Sequence, residues 1–229
     1  MIQVKQLIKN FGNGEVVTKV LRGINLHIKK GEFVAIQGKS GAGKSTLLYQ
    51  MSILDMPTSG QIILDGINTE HFSETERTDF RLNRLGYIFQ DYALIPELSA
   101  VENVVIPILM LGTEKRSAMK QAMSALDAVG LANRHDNLPS QLSGGEQQRV
   151  SIARAIAHTP DILFADEPTA NLDSVSGTEV MRVINDLHKQ NGQTIVMVTH
   201  EPEYAAYADR LIEIQDGMVV SDKPQKGAH

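Results

Sequence analysis

The 229-residue sequence contains no cysteine. The chain therefore cannot form disulfides, thiolate metal sites or a cysteine nucleophile. It also lacks a long hydrophobic run: the longest, residues 104–111, is interrupted by Pro107, whereas a bilayer span needs ~20 apolar residues. The first ten residues alternate polar and apolar side chains, without the apolar centre of a signal peptide. These absences predict a cytoplasmic protein, unless a partner holds it at a membrane.

Basic residues are not in excess. Lys and Arg number 22 against 27 Asp and Glu, so the formal net charge is -5 and no broad basic surface for nucleic acid is implied. Hydrophobic residues make up 42% of the chain and charged residues 21%. This composition and length are sufficient for the core of one large domain, or of one domain with a subdomain.

Short apolar segments alternate with segments of helical periodicity. Strands are predicted over residues 2–8, 21–28, 34–36, 62–64, 87–89, 162–164 and 194–198, and a final hairpin over residues 211–220 around Asp216-Gly217. Helices are predicted over about residues 44–54 and 145–157. A further helix is predicted from the spacing of Met119, Met123, Leu126 and Val129, which we interpret as core packing, with Gly130 placed to end it.

Strands that alternate with helices predict an α/β core with a mostly parallel sheet. Residues 91–158 are helical in character, and we expect them to form an inserted helical subdomain. The predicted core then comprises about residues 1–90 and 159–229 of a single domain.

A glycine-rich segment follows one predicted strand and opens a predicted helix. Residues 38–45, GKSGAGKS, fit the pattern G-x-x-x-x-G-K-[ST]. Glycines let a backbone wrap closely around phosphates, and the N–H groups of the loop and of the helix N-terminus favour anions. We expect Lys44 to reach the β- and γ-phosphates and the Ser45 hydroxyl to bind Mg²⁺. The predicted ATP-binding residues of this segment are Gly38, Lys39, Ser40, Gly41, Ala42, Gly43, Lys44, Ser45 and Thr46.

Two acids follow another apolar segment. Residues 162–165 form a predicted strand that ends in Asp166 and Glu167. A carboxylate at such a strand end can hold Mg²⁺, which suits Asp166. Glu167 could orient and deprotonate an attacking water. The alternative, two solvated acids, is disfavoured by the glycine-rich loop upstream.

A second glycine-rich segment opens the helix predicted over residues 145–157. Ser143, Gly144, Gly145 and Glu146 form a further possible anion site at a helix start. The alternative is an ordinary N-cap, with Ser143 as the cap and Glu146 completing a capping box. Such a capping box does not exclude a phosphate contact.

Together these segments resemble those of the ATP-binding-cassette (ABC) ATPases, the nucleotide-binding subunits of ABC transporters. The resemblance extends over nearly all 229 residues. GKSGAGKST (38–46) resembles the Walker A motif and LFADEP (163–168) resembles Walker B. LSGGEQQR (142–149) is similar to the signature that separates this family from other P-loop ATPases, although Glu146 stands where the general pattern has glutamine. Glutamate at a helix N-terminus is electrostatically favourable.

Further residues match the family motifs one by one. Gln90, in YIFQD, matches the glutamine that senses Mg²⁺ and the membrane partner. Residues 171–173, NLD, match the D-loop, and His200, in VMVTH, matches the histidine that contacts the γ-phosphate. Phe11 stands where the family usually has a tyrosine that stacks on adenine; phenylalanine keeps the aromatic face, and the alternative is a core residue.

The resemblance implies specific roles, a fold and partners. It implies that the catalytic residues are Lys44, Gln90, Glu167 and His200. It also implies that the Mg²⁺ ligands are Ser45, Gln90 and Asp166. It implies a P-loop NTPase core, with an antiparallel β subdomain near the N-terminus and an inserted α-helical subdomain. Two chains would pair head to tail in the ATP-bound state, so that residues 143–146 of one close over ATP bound to the other.

The resemblance also implies a transmembrane permease as partner, which would place the chain at the inner face of the cell membrane. The sequences DEPTANLD and LSGGEQQRV are similar to those of the subgroup that serves lipoprotein-release, macrolide-export and antimicrobial-peptide permeases.

The segment after Gln90 is a loop that contains several apolar residues. It either receives a short amphipathic permease helix or packs the helical subdomain. Its apolar residues are Tyr92, Leu94, Ile95, Pro96 and Leu98.

Two other functions fit parts of this pattern. DNA-maintenance ATPases with the same signature insert long coiled coils, but here only residues 46–141 separate the two motifs and no heptad run occurs. An ATP-driven regulatory module that controls a cell-envelope enzyme through a membrane protein remains an alternative. The transported substance is not encoded in this chain.

Overall fold

The computed structural model describes residues 1–12 and 17–225. The chain divides into two compact units, Met1–Asp79 with Gly192–His229, and Phe80–Asn191. We call them the first and the second unit. The helical subdomain predicted over residues 91–158 lies wholly within the second unit, and its edges remain a prediction.

Strands and helices alternate along the chain. The strands are β1 (Ile2–Phe11), β2 (Thr18–Ile28), β3 (Phe33–Gln37), β4 (Ser59–Leu64), β5 (Ile67–Asn68), β6 (Leu85–Ile88), β7 (Ile162–Asp166), β8 (Thr194–Val198), β9 (Arg210–Gln215) and β10 (Met218–Pro224). The helices are α1 (Lys44–Met51), α2 (Glu74–Arg84), α3 (Ala100–Met110), α4 (Lys115–Ala128), α5 (Gly144–Ile156), α6 (Ser174–Asn191) and α7 (Pro202–Ala205). A short 3-10 helix, Pro139–Gln141, precedes α5. The elements β5, α2, α6 and α7 are additional to those predicted from the sequence.

The first unit contains an antiparallel sheet with the strand order β2-β1-β4-β5. Alternate residues of β1 and β4 are buried, as expected where only one face of an antiparallel sheet packs on a core. This sheet is the antiparallel subdomain predicted near the N-terminus.

A second set of strands in the first unit is mainly parallel. β3 pairs in parallel with β8 on one side and with β9 on the other, and β10 pairs antiparallel with β9. All residues of β8, and Phe33 to Ile36 of β3, are buried. Parallel strands with both faces covered need such continuous apolar runs. The predicted α/β class, with parallel strands and a separate antiparallel sheet, is confirmed.

Arg210 ties the strands of this second set to the segments around them. Its Nε and Nη2 donate to the two carboxylate oxygens of Asp222 at 2.6 and 2.7 Å, which joins β9 to β10. Its Nη1 donates to Glu32 Oε1 at 3.1 Å and to the His27 carbonyl at 2.9 Å. These charge-assisted bonds raise the pKa of Arg210 and lower that of Asp222.

Two Asp-Gly hairpins in the first unit have the same local geometry. In the β9–β10 turn, Asp216 and Gly217 have φ angles of 50° and 77°; in the β4–β5 turn, Asp65 and Gly66 have 49° and 82°. Left-handed φ at both central residues is the arrangement that fits the twist of a two-residue hairpin. Only the first of these turns is packed: a Cβ at Gly217 would lie 2.1 Å from the Val20 carbonyl oxygen, whereas one at Gly66 would meet nothing within 4 Å.

The second unit combines two parallel strands with helices. β6 pairs in parallel with β7, and Arg84 and Asp161 support the start of the pair through a side-chain ion pair and a 2.8 Å backbone hydrogen bond. Helix α5 crosses β6 so closely that a Cβ at Gly86 would lie 2.3 Å from the Ala155 carbonyl oxygen. Helices α3 and α4 pack on each other and on α5.

Helix α4 buries different residues from those that the methionine spacing predicts. Leu126 and Val129 are buried, but Met123 is 37% exposed, so the interpretation of Met123 as a core residue is wrong. The buried residues of the helix are Ala118, Ala122, Ala125 and Leu126. Alanines let neighbouring helices approach closely, and a pattern of large apolar residues overlooks them. Gly130 lies just past the C-cap in a left-handed conformation, φ 76°, as predicted.

Helix α3 contains the most apolar segment of the chain. Ser99 and Glu102 form a capping box at its start. Asn103 is fully buried. Its side-chain oxygen accepts from the Ile95 N–H at 2.7 Å, and its side-chain nitrogen donates to the carbonyls of Ile95 and Leu98 at 3.1 and 2.9 Å. Across residues 1–12 and 17–225, no helix has the length and apolarity that a bilayer crossing demands.

The two Asp-Gly hairpins make a matched pair for measuring backbone packing. Gly66→Ala should cost about 1–2 kcal/mol of unfolding free energy, the cost of a left-handed alanine. Gly217→Ala should cost about 2–5 kcal/mol, because the overpacking against Val20 adds about 1–3 kcal/mol. Urea unfolding of both variants measures the difference. Equal losses would show that the β9–β10 turn moves aside freely.

Candidate functional site

The glycine-rich loop, residues 38–43, connects β3 to α1 in the first unit. Gly38 has no room for a side chain, because a Cβ would lie 2.3 Å from the Ile214 carbonyl oxygen of β9. Gly41 and Gly43 have φ angles of 78° and 99°. The Ala42 carbonyl accepts from the Gly217 N–H at 3.1 Å, so the β9–β10 turn holds the loop from behind. These backbone contacts fix the shape of the loop.

Helix α1 starts without the groups that usually satisfy a helix N-terminus. Its N-cap is Gly43, no side chain caps it, and its first turn contains no acid. The first N–H groups of a helix lack partners within the helix and carry partial positive charge. Ser45 and Thr46 lie half-buried in this first turn. This end of α1 is suited to an anion.

Lys44 is enclosed by the loop that precedes it. Its side-chain ammonium donates to the carbonyls of Gly38 at 2.9 Å and Lys39 at 3.2 Å, and the residue is only 7% exposed. Burying a charge is costly unless hydrogen bonds compensate it, and these two carbonyls supply them. The arrangement holds one cation at the centre of a cradle of main-chain groups.

His200 lies at the same strand edge as the start of the loop. Ile36 of β3 pairs with Val198 of β8, and the Thr199 N–H donates to the Ile36 carbonyl at 3.2 Å. Because the carboxyl ends of parallel strands meet at one edge, His200 and the loop after Gln37 both begin there. His200 is exposed. The first unit thus brings the predicted histidine and the predicted loop together.

Phe11 ends β1 and is 46% exposed. The Lys9 ammonium lies 4.9 Å from its ring centroid. This exposure excludes the alternative that Phe11 is a core residue. Stacking on adenine stays a prediction, and residues 13–16, which follow in the chain, lie outside the described residues.

The second unit brings Gln90 to the same edge as the two acids. Ile88 of β6 pairs with Ala165 of β7, so the segments that follow these strands leave side by side. Asp166 is buried, 5% exposed. Glu167 has a φ of 45°, a left-handed conformation that L side chains rarely adopt. Strained backbone of this kind occurs preferentially at functional sites.

Residues 171–173 connect this edge to helix α6. The Asn171 side-chain amide donates to the Gln90 carbonyl at 3.0 Å. Asp173 accepts from the N–H groups of Val175 and Ser176, both at 3.0 Å, and from the Ser176 hydroxyl at 2.8 Å. The bonds from Ser176 lower the pKa of Asp173. The predicted D-loop is therefore anchored at both of its ends within the second unit.

The helix start at residues 143–146 contains the predicted capping box. The Glu146 N–H donates to the Ser143 hydroxyl at 3.3 Å, and the Ser143 N–H donates to the Glu146 carboxylate at 2.9 Å. The glycines between them also have a packing role. A Cβ at Gly144 would lie 3.0 Å from the Tyr92 hydroxyl, and one at Gly145 would lie 3.0 Å from the Ser176 side chain.

Arg134 is a partner of this helix start that no sequence pattern indicates. Its Nε donates to the Glu146 carboxylate at 2.8 Å. Together with the Ser143 N–H, this bond lowers the pKa of Glu146. Arg134 offsets the charge that Glu146 brings to a segment predicted to face phosphate. The 3-10 helix lies between Arg134 and Glu146 in the sequence, and the two side chains meet because of the way the chain folds there.

A glycine loop that follows a buried parallel strand, encloses a lysine and opens an uncapped helix defines a P-loop nucleotide-binding protein. A family model described as ABC transporter matches residues 21–170. The chain therefore belongs to the ABC transporter family of ATP-binding proteins.

Individual relatives agree with this assignment. The chain is 46% identical over 228 residues to the macrolide export ATP-binding/permease protein MacB of Chlorobaculum tepidum, covering 100% of this chain but 35% of that protein. It is 45% identical over 219 residues to the lipoprotein-releasing system ATP-binding protein LolD of Shewanella frigidimarina, covering 96% of this chain and 92% of that protein. The chain thus spans about a third of the length of the MacB protein.

A solved structure has the same fold along its whole length. It is the dimeric, post-hydrolysis state of the ATP-binding cassette MJ0796 bound to ADP and Pi. The TM-score is 0.92 at 39% sequence identity, and the match covers 100% of both chains.

Lys44→Ala should abolish tight ATP binding, because it removes the one side-chain cation enclosed by the loop. Lys30→Ala, an exposed lysine outside the loop, is the matched control and should bind ATP normally. Isothermal titration calorimetry measures both affinities, and thermal unfolding without nucleotide checks that each variant is folded. Unchanged ATP affinity in folded Lys44→Ala would refute the assignment of the loop.

Proposed function

We propose that this chain binds Mg·ATP, hydrolyses it, and uses the cycle to drive a membrane permease. The observation that carries the proposal is the enclosure of Lys44 by the Gly38 and Lys39 carbonyls at an uncapped helix start. A terminal phosphate group offers Lys44 stronger, charge-assisted hydrogen bonds than these carbonyls do. The N–H groups of the loop and of the first turn of α1 supply the remaining donors.

The proposed Mg²⁺ ligands have suitable donor chemistry. Ser45 offers a hydroxyl, Gln90 an amide oxygen and Asp166 a carboxylate, and hard oxygen donors of this kind are those that Mg²⁺ takes. Asp166 is buried at the end of β7, and buried carboxylates commonly coordinate metal ions or pair with other charges. One or two such ligands suffice, since magnesium in nucleotide sites is held largely by phosphates and water. When bound, the ion would neutralise charge on the phosphate oxygens.

Glu167 is the proposed general base. It directly follows Asp166, and its left-handed backbone turns the chain sharply at the end of β7. The left-handed φ fixes the direction in which the Glu167 side chain leaves the main chain, and a general base has to be placed within reach of the water whose proton it accepts. We propose that His200 contacts the γ-phosphate and that Gln90 orients the attacking water and the ion.

We further propose that the active state is a head-to-tail homodimer. Ser143, Gly144, Gly145 and Glu146 of one chain would contact the phosphates of ATP held by the loop of the other. The solved relative is described as dimeric and bound to ADP and Pi, which supports pairing in the hydrolytic cycle. The offset of Glu146 by Arg134 makes this helix start compatible with a phosphate.

The partner is proposed from the names of the relatives. MacB is described as an ATP-binding and permease protein, and LolD as the ATP-binding protein of a lipoprotein-releasing system. We infer that this chain serves a transmembrane permease in export or lipoprotein release, from the inner face of the membrane. These names favour transport over the regulatory alternative.

The loop after Gln90 contains the proposed contact with that permease. Ile95 and Pro96 are exposed, Ile95 to 41%, whereas Tyr92, Leu94 and Leu98 are half-buried. We propose that the exposed pair meets a short amphipathic helix of the permease, while the half-buried residues pack the second unit.

Glu167→Gln tests the chemistry and the dimer together. The substitution keeps size and most hydrogen bonding but cannot accept a proton, so hydrolysis should fall by roughly 10²–10⁴-fold. ATP binding should survive, because Lys44, Ser45 and Asp166 are unchanged. Uncleaved ATP should then hold two chains together. Steady-state phosphate release and size-exclusion chromatography with and without Mg·ATP measure the two effects.

Glu203→Gln, an exposed acid on α7, is the control and should hydrolyse ATP normally. Normal hydrolysis by Glu167→Gln would remove Glu167 from the mechanism. A variant that binds ATP, fails to hydrolyse it and stays monomeric would contradict the shared-site model and leave the role of Glu167 intact.

A further inference from the structure

The turn directly after Gln90 is strained. Tyr92 and Ala93 have φ angles of 63° and 49°, a left-handed conformation that crowds the Cβ of an L residue against the following carbonyl. Neither residue is glycine, and they are consecutive. Such a turn persists only where its surroundings hold it.

Arg154 binds both carbonyls of this turn. Its guanidinium donates from Nη2 to the Tyr92 carbonyl at 2.9 Å and from Nη1 to the Ala93 carbonyl. Burial lowers the pKa of Arg154 and the charge of Asp91 opposes that shift, and a guanidinium in a protein stays protonated. The two carbonyls are therefore fixed by charge-assisted hydrogen bonds from one rigid, planar group.

The fixed turn places Gln90 and Tyr92 against the D-loop. The Asn171 amide donates to the Gln90 carbonyl at 3.0 Å, and the Tyr92 hydroxyl lies 3.4 Å from the Asn171 carbonyl oxygen. The same hydroxyl would lie 3.0 Å from a Cβ at Gly144. A change in the turn would therefore shift Gln90 and release Asn171 together.

Helix α5 connects the turn to the segment proposed to contact ATP. Gly144 is in its first turn and Arg154 in its last. Ten residues of α-helix separate them by about 15 Å, at 1.5 Å per residue. A displacement of the helix start is transmitted along this rigid element to the guanidinium and so to the two carbonyls.

We propose that Arg154 is a positioning residue for ATP hydrolysis, which fixes Gln90 by holding the strained turn at Tyr92 and Ala93. The inference rests on the proposed role of Gln90 and adds a residue that is not among the proposed nucleotide or metal contacts. Through α5, the placement of Gln90 depends on the position of residues 143–146. Contact between ATP and residues 143–146 is therefore coupled to the position of Gln90.

The inference predicts a specific kinetic change for Arg154→Ala. The kcat should fall by roughly 10–100-fold, the range for a catalytic group displaced by about an ångström. The KM for ATP at saturating magnesium should not change, because the binding loop is untouched. The magnesium concentration for half-maximal activity should rise, since Gln90 is a proposed ligand. Hydrogen–deuterium exchange of residues 89–96 should increase, which needs no activity.

Ala93 supplies the test that separates positioning from general destabilisation. Glycine adopts left-handed φ readily, so Ala93→Gly should be active alone and should restore much of the kcat lost in Arg154→Ala. Ala93→Val should reproduce the defect of Arg154→Ala with the arginine still present, because a β-branched residue is strongly disfavoured there. Arg182→Ala, an exposed arginine on α6, is the control and should change nothing.

Each failure has a distinct meaning. A wild-type chain without ATPase activity would overturn the proposed function. A Gln90→Ala variant with normal magnesium dependence would overturn the role of Gln90.

If the wild-type chain and Gln90→Ala both behave as proposed, and Arg154→Ala keeps its kcat and exchange within about twofold of Arg182→Ala, Arg154 does not position the turn. Loss without rescue by Ala93→Gly would likewise overturn the inference. If Arg154→Ala fails to fold, Ala93→Val and Arg154→Lys carry the same test.

Discussion

The phosphate-binding loop depends on direct contact between main chain and main chain. Gly38 lies against the Ile214 carbonyl, and Gly217 lies against the Val20 carbonyl at distances that exclude any Cβ. The Gly217 N–H then bonds the Ala42 carbonyl, so hairpin, loop and β2 form one backbone unit. At the centre of this scaffold, Lys44 is held by carbonyls of the same loop.

The glycine-rich loop of the first unit and the site segments of the second unit accommodate left-handed backbone in different ways. In the first unit, left-handed positions of the loop are glycines, which adopt them at little steric cost. In the second unit, Tyr92, Ala93 and Glu167 have positive φ although each has a side chain. Strain at these positions has to be compensated by neighbours, as by the Arg154 guanidinium. The glycines of the loop need no such compensation, whereas the left-handed residues that have side chains do.

Much of this arrangement could be predicted from residue types and their spacing. The loop at 38–45, the two acids at the end of β7 and the capping box at Ser143 follow from local chemistry, and all lie at the predicted ends of strands or starts of helices. The partners that tune these residues could not be predicted. Arg134 and Arg154 belong to no motif, since their effect depends on which carboxylate or carbonyl the fold brings near. Met123 was misplaced because periodicity registers large apolar residues and overlooks the alanines that allow close helix packing.

The strand that leads into the loop pairs with strands that are more than 150 residues away in the sequence. β3 pairs with β8 and β9, and Gly31, just before β3, bonds Thr194 across 163 residues. Contacts of such high sequence separation form slowly, since a long loop must close before they are gained. On a ribosome, which adds about 5–20 residues each second, roughly 8–34 seconds pass between synthesis of the loop and synthesis of the strands that flank β3. A nascent chain therefore cannot complete its ATP cradle until β9, about 170 residues after the loop, has been translated.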